Sequence, residues 1–151
     1  MLDTGITPIR VFSNAARFIE AYHRVLQPLC RESGLPPLAV DILMFAANNP
    51  EYATAKNICK YRGMKPSIVS VHVERLVGEG YLQRQEVPGD RRQTLLICTE
   101  RAQPLIEHGR DLQRQFSERL TLGMSDADRE ALHKAMTLLD NNIEEIRKNG
   151  L

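Results

Sequence analysis

Apolar residues recur at three- and four-residue intervals near the start of the chain: Val11, Phe12, Ala15, Phe18, Ile19, Tyr22, Val25, Leu26 and Leu29. That spacing predicts a helix running to about Cys30. Thr7 is its expected N-cap, and Pro8 takes the first helical position. The stripe is wide enough to be covered by more than one surface. Gly34 ends it, and Pro36-Pro37 opens a second helix over about 38–48, with Val40, Leu43 and Met44 as core. Thr54 caps a short third helix over about 55–61. Gly63 supplies a turn, and Pro66 starts a fourth helix that runs to about Gly78. On this helix Val69, Val73 and Leu76 share the inward face, and Ser67, Ser70, Val71 and Glu74 the outward one. Two short helices about a glycine turn make a helix-turn-helix.

The period then changes from about 3.6 to two. Residues 82–87 and 94–98 alternate, and between them lie Pro88, Gly89, Asp90, Arg91 and Arg92. Alternation on both sides of a Pro-Gly-Asp turn predicts a β-hairpin. Thr99 is expected to cap a long fifth helix over about 100–122, with Pro104 near its first turn. Gly123 breaks the chain. Ser125 and Asp128 resemble a capping box with Asp in place of Glu. A sixth helix to about residue 148 places Leu132, Met136, Leu139, Ile143 and Ile146 on one stripe.

The expected fold is mainly α with a small β-hairpin wing. A winged helix-turn-helix occupies 35–99, and dimerisation helices occupy 1–34 and 100–151. A winged unit closes its own core without three long amphipathic helices, so their stripes call for a partner, and a two-fold homodimer is the commonest solution.

The chain has 151 residues and a net charge of only +1, which by itself argues against a polyanionic partner. The distribution reverses that inference. Residues 53–92 hold eight basic and four acidic side chains, a balance of +4, and the flanks are net acidic. The centre is a local basic footprint. Cys30, Cys59 and Cys98 stand far apart with no CxxC pair, which excludes a disulfide framework and disfavours zinc. A reducing, cytoplasmic setting fits such cysteine usage. No apolar run approaches the ~20 residues of a membrane helix, and the start lacks the basic-then-apolar order of a signal peptide. No GxSxG, HExxH, P-loop or GxGxxG motif is present. The four histidines show no ligand spacing, and Asp126 with Asp128 suits a helix start. Neither an enzyme nor a metal or cofactor is expected.

The ordered set TAKNICKYRGM (54–64), KPSIVSVHVERL (65–76), GYL (80–82) and GDRRQTLLICTE (89–100) resembles the MarR family of bacterial transcriptional regulators. The resemblance spans about 38–107, and Asp90-x-Arg92 followed by the Cys-Thr-Glu run is its most recognisable part. It implies that Arg92 enters a minor groove, with Asp90 orienting it through a salt bridge. An arginine in a narrow groove meets enhanced negative potential. Pro66, Ser67, Ser70 and Val71 would lie at the front of the recognition helix, where serines meet base edges or phosphates and a valine can meet a thymine methyl. Arg75 would contact phosphate or form an internal ion pair. Lys65, Arg84 and Arg91 are further DNA-binding candidates. Val71, Arg62, His72 and Ala102 depart from the family's usual residues, so no operator sequence follows.

The resemblance also implies a small-molecule effector between the outer helices and the winged unit, with Phe18, Tyr22, Phe45 and Tyr52 as lining candidates. The expected protein is thus a homodimeric regulator, a repressor released by an effector, bound to a pseudo-palindromic duplex site. Two alternatives remain open: a winged-helix protein-interaction module, and a thiol-based redox sensor acting through Cys30.

Overall fold

The computed structural model describes residues 7–151. Seven α-helices and one hairpin follow in order among them: α1 (Pro8–Val25), α2 (Gln27–Ser33), α3 (Pro37–Asn48), α4 (Ala55–Arg62), α5 (Pro66–Gly78), β1 (Leu82–Val87), β2 (Asp90–Cys98), α6 (Gln103–Leu120) and α7 (Asp126–Asn149). The chain forms two compact units, one ending at Arg114 and the other comprising Gln115–Leu151.

In the first unit, α3 is the centre. Its residues Ala39, Val40, Ile42, Leu43, Met44 and Ala46 are all buried, so the helix is apolar on nearly every side. Leu26 and Leu29 pack on it from the α1–α2 region, Ile58 from α4, Val69 and Leu76 from α5, Leu82 from β1 and Ile106 from α6. Gly109 sets how close α6 comes. A Cβ there would lie 2.4 Å from the Met44 sulfur and 3.1 Å from Leu29 Cδ1. A side chain there would meet the end of the Met44 side chain first, so Met44 would have to turn aside.

The single first helix expected up to Cys30 is in fact two. Leu26 separates α1 from α2. Pro28 explains the break: it has no N–H to donate, and its ring collides with the carbonyl four residues back. The remaining boundaries through Gly78 lie close to expectation. Thr54 Oγ1 accepts the Asn57 N–H at 3.2 Å, and Gly63 ends α4 at φ +63°, a conformation that favours glycine.

The hairpin also differs from expectation. β2 begins at Asp90, not Thr94, so the turn contains only Pro88 and Gly89, the latter at φ +83°. Asp90 pairs with Val87 and Thr94 with Glu86, leaving Arg91, Arg92 and Gln93 as an irregular insertion in the ladder. Both arginines sit in that insertion. A bridge from Thr54 to Leu95 adds a short third edge, with the Leu96 N–H bound to the Ala53 carbonyl at 2.8 Å. At the base of the hairpin, Thr99 donates its hydroxyl to the Gly80 carbonyl at 2.6 Å. It therefore does not cap the fifth helix by its side chain. A 3-10 turn over Glu100–Ala102 precedes α6, since a helix entering at Pro104 lacks one donor.

In the second unit, Ser125 and Asp128 complete the capping box of α7 in both directions, at 3.1 Å and 2.9 Å. These bonds hold the Asp128 carboxyl below its ordinary range. Neither α1 nor α7 has a buried residue in the single chain. Phe12 is 74% exposed, Ile143 60% and Ile146 51%.

Candidate nucleic-acid interface

The start of α4, one side of α5 and the hairpin bound a cleft of about 770 Å³. Its lining includes Pro66 and Ser70 from α5, and Arg84, Asp90 and Arg92 from the hairpin. Five of the ten expected DNA-binding residues are thus brought together. Lys56, Gln93 and Thr94 line the same cleft and were not singled out from the sequence. Lys56 follows the Thr54 cap by two residues, and that position on a short helix was the available signal.

Ser67, Ser70 and Val71 are exposed on α5, with Val71 at 65%. Val69, Val73 and Leu76 are buried beneath them, as the spacing predicts. Lys65 is exposed at the N-cap of α5. Lys56, Lys65, Arg91 and Arg92 have no acidic partner among the described residues, so their charge faces solvent. Burial holds His72 below its ordinary histidine value, with Arg75 adding to the effect.

Asp90 acts on the backbone. Its Oδ1 accepts the N–H of Arg92 at 2.9 Å, the local bond by which aspartate favours a turn. No ion pair joins its carboxylate to the Arg92 guanidinium among the described residues. Asp90 therefore fixes the chain from which Arg92 projects.

Two of the candidate cations are already engaged. Arg84 forms an ion pair with Glu74, tying β1 to α5. Arg75 donates Nη2 to the Gly34 carbonyl at 2.9 Å and Nε to Glu79 at 3.3 Å. Of the two roles weighed for Arg75, the internal one describes its geometry: it fastens α5 to the end of α2.

A second group of residues joins the outer helices to the winged unit. Asp41 on α3 is 3% exposed. Arg62 meets it with Nε at 3.1 Å and Nη2 at 2.7 Å, and His23 Nε2 lies 3.0 Å from the same carboxylate. The Arg62 guanidinium also lies 5.6 Å from the Tyr22 ring centre. Gln113 on α6 donates to the Tyr22 hydroxyl at 2.6 Å. Four helices (α1, α3, α4 and α6) thus meet through one polar cluster. Of the four aromatic candidates for effector binding, Tyr22 belongs to this cluster and Phe45 stacks on Tyr61 at 6.3 Å. Phe18 and Tyr52 are exposed, at 43% and 57%.

Burial pushes the Cys30 and Cys98 thiols up. A raised thiol is a poor nucleophile at neutral pH, which weighs against redox sensing through Cys30. Among the described residues, no cluster of His, Cys, Asp or Glu could hold a metal. No helix among them is long and apolar enough to cross a membrane.

Residues 33–93 match the sequence model of the MarR family. By sequence, no curated protein matches the chain. Solved structures share its fold. A MarR protein from Peptoclostridium difficile is 14% identical, with 96% of this chain and 94% of that chain covered, at a TM-score of 0.74. A putative MarR-family regulator from Listeria monocytogenes, solved with a 26-mer DNA, is 15% identical with 97% of each chain covered, at a TM-score of 0.73. BpsR of Bordetella bronchiseptica, whose DNA binding is regulated by 6-hydroxynicotinic acid, is 20% identical, covering 87% and 98%, at a TM-score of 0.63.

Proposed function

We propose that this chain, whose residues 33–93 are of MarR-family type, is a homodimeric DNA-binding transcriptional regulator, and specifically an effector-released repressor. One observation carries the proposal: the cleft bounded by α4, α5 and the hairpin gathers Lys56, Ser70, Arg84 and Arg92 on one open surface. With α5 in a major groove and the hairpin in the adjacent minor groove, the intervening phosphates would pass along this cleft. The Listeria relative solved with DNA supports the assignment of partner.

The exposed apolar stripes of α1 and α7 support the homodimer. Isolated exposed apolar residues are ordinary, but stripes along two helices mark an interaction surface. Two-fold pairing would present two recognition helices to two half-sites of a pseudo-palindrome, about one helical turn apart. In this arrangement 35–99 reads DNA, while 1–34 and 100–151 pair the subunits. BpsR supplies the precedent for control by a small aromatic acid. In this chain the Tyr22 and Phe45 region, where four helices meet, is the place from which an effector would change the separation of the recognition helices. It does so only by binding one separation more tightly than the other.

Salt dependence tests the DNA assignment. Binding to duplex should weaken steeply between 50 and 200 mM salt, with a log–log slope near the number of phosphates neutralised. Salt-independent affinity, or no affinity, would refute it.

A further inference from the structure

The outward face of α5 is unusual in what it offers to base edges. From Pro66 to Glu74 it contains no Arg, Lys, Asn or Gln. Those are the side chains that form paired hydrogen bonds to guanine or adenine in the major groove. The one charged group on the face, Glu74, is held by Arg84. Arg75, the next cation along the helix, is occupied by the Gly34 carbonyl and Glu79. What remains are two short hydroxyls, Ser67 and Ser70, the part-buried His72 toward the inner side, and two exposed β-branched aliphatics, Ile68 at 39% and Val71 at 65%.

Val71 has no structural employment in the winged unit. The inward face is completed by Val69, Val73 and Leu76 without it. It shares a face with the exposed Ser67 one turn earlier, on the helix that the proposed function sets in a major groove. In the major groove the only apolar feature on a base edge is the C5-methyl group of thymine. Cytosine lacks it, and the purines present polar edges. An aliphatic side chain there gains by burying that methyl.

Resting on the proposed function, we infer that Val71 is a specificity-determining residue, and that the bound half-site carries a thymine whose methyl it covers. Recognition by this helix is therefore dominated by thymine methyls, with the serines supplying single hydrogen bonds and the wing supplying groove shape.

The test begins with duplexes selected by the purified full chain from a random double-stranded library. Each thymine of the selected site is then replaced singly by deoxyuridine, which removes one methyl and leaves every hydrogen-bonding group. Loss of one buried methyl should weaken binding about fourfold. At one thymine per half-site the native protein should show that loss. Val71→Ala should bind the thymine and uracil duplexes alike, and Val71→Thr, which keeps one γ-methyl, should retain discrimination. Enriched sites with no thymine–uracil difference, or a difference that persists in Val71→Ala, would overturn the inference while leaving DNA binding intact. Recovery of no enriched sequence would instead strike the proposed function itself, and the inference with it.

Discussion

Arg62 closes a two-point ion pair on Asp41, with both carboxylate oxygens engaged at 3.1 and 2.7 Å and the carboxylate only 3% exposed. The pair joins the end of the first helix of the helix-turn-helix to the centre of the core. Desolvating two charges is costly, so such a pair contributes little net stability but is destructive to break. Arg62→Leu should destabilise the fold by about 3 kcal/mol in urea unfolding, because Asp41 stays buried without its main partner. The double variant Arg62→Leu, Asp41→Leu should recover most of that loss. A double variant as unstable as the summed single losses would show that the two charges are not coupled.

Gly109 lies against Met44 and Leu29 where no Cβ fits without movement. Gly109→Ala should lower stability by about 1–3 kcal/mol through overpacking against Met44 and Leu29. Met44→Ala in the same chain should make the clash smaller, so the two losses should be less than additive. Thermal melts of the four proteins check this, and strict additivity would mean the contact does not limit packing.

The cations of the interface should separate into two classes. Arg92→Ala should weaken duplex binding by about 1–3 kcal/mol with stability unchanged, and Lys56→Ala should lower the salt slope by about one. Arg75→Ala should do the reverse: it loses its bond to Gly34, so the melting temperature should fall while the salt slope stays the same. A large change of slope for Arg75→Ala would place that side chain on phosphate.

His72 predicts a pH dependence. Burial holds its folded value below the ordinary one near 6.5. A depressed group contributes stability above the unfolded value and loses it as pH falls through the folded value. The native protein should therefore lose stability as pH falls below the ordinary histidine range. His72→Gln should show a shallower decline there. Because His72 is only part-buried, the difference should be modest; parallel profiles would remove His72 as its source.

Most helices and the hairpin were legible because each carries a local signal: a cap at Thr54, a turn at Gly63, proline at 66 and a change of period after Gly80. The misjudged boundaries have local causes too. Pro28 lies inside an unbroken apolar stripe that hides its missing donor. Pro88-Gly89 makes a tighter turn than five polar residues suggest, because Asp90 satisfies the Arg92 N–H and lets β2 begin early. The interface was legible as residue types but not as pairings. The sequence cannot show that Glu74 holds Arg84, ten residues away, or that Arg75 reaches Gly34, 41 residues away. The Asp41 cluster left two traces: an acid inside the run Val40-Asp41-Ile42-Leu43-Met44, and an arginine at 62 that departs from the resemblance. Only the fold brings them together.

The central claim is a paired molecule seated on one duplex. Sedimentation equilibrium of the full chain with a selected duplex, at protein concentrations spanning the binding transition, tests it most directly. The account predicts two chains per duplex and a free protein of twice the chain mass. One chain per duplex, or free protein of single-chain mass at every concentration tested, would contradict it.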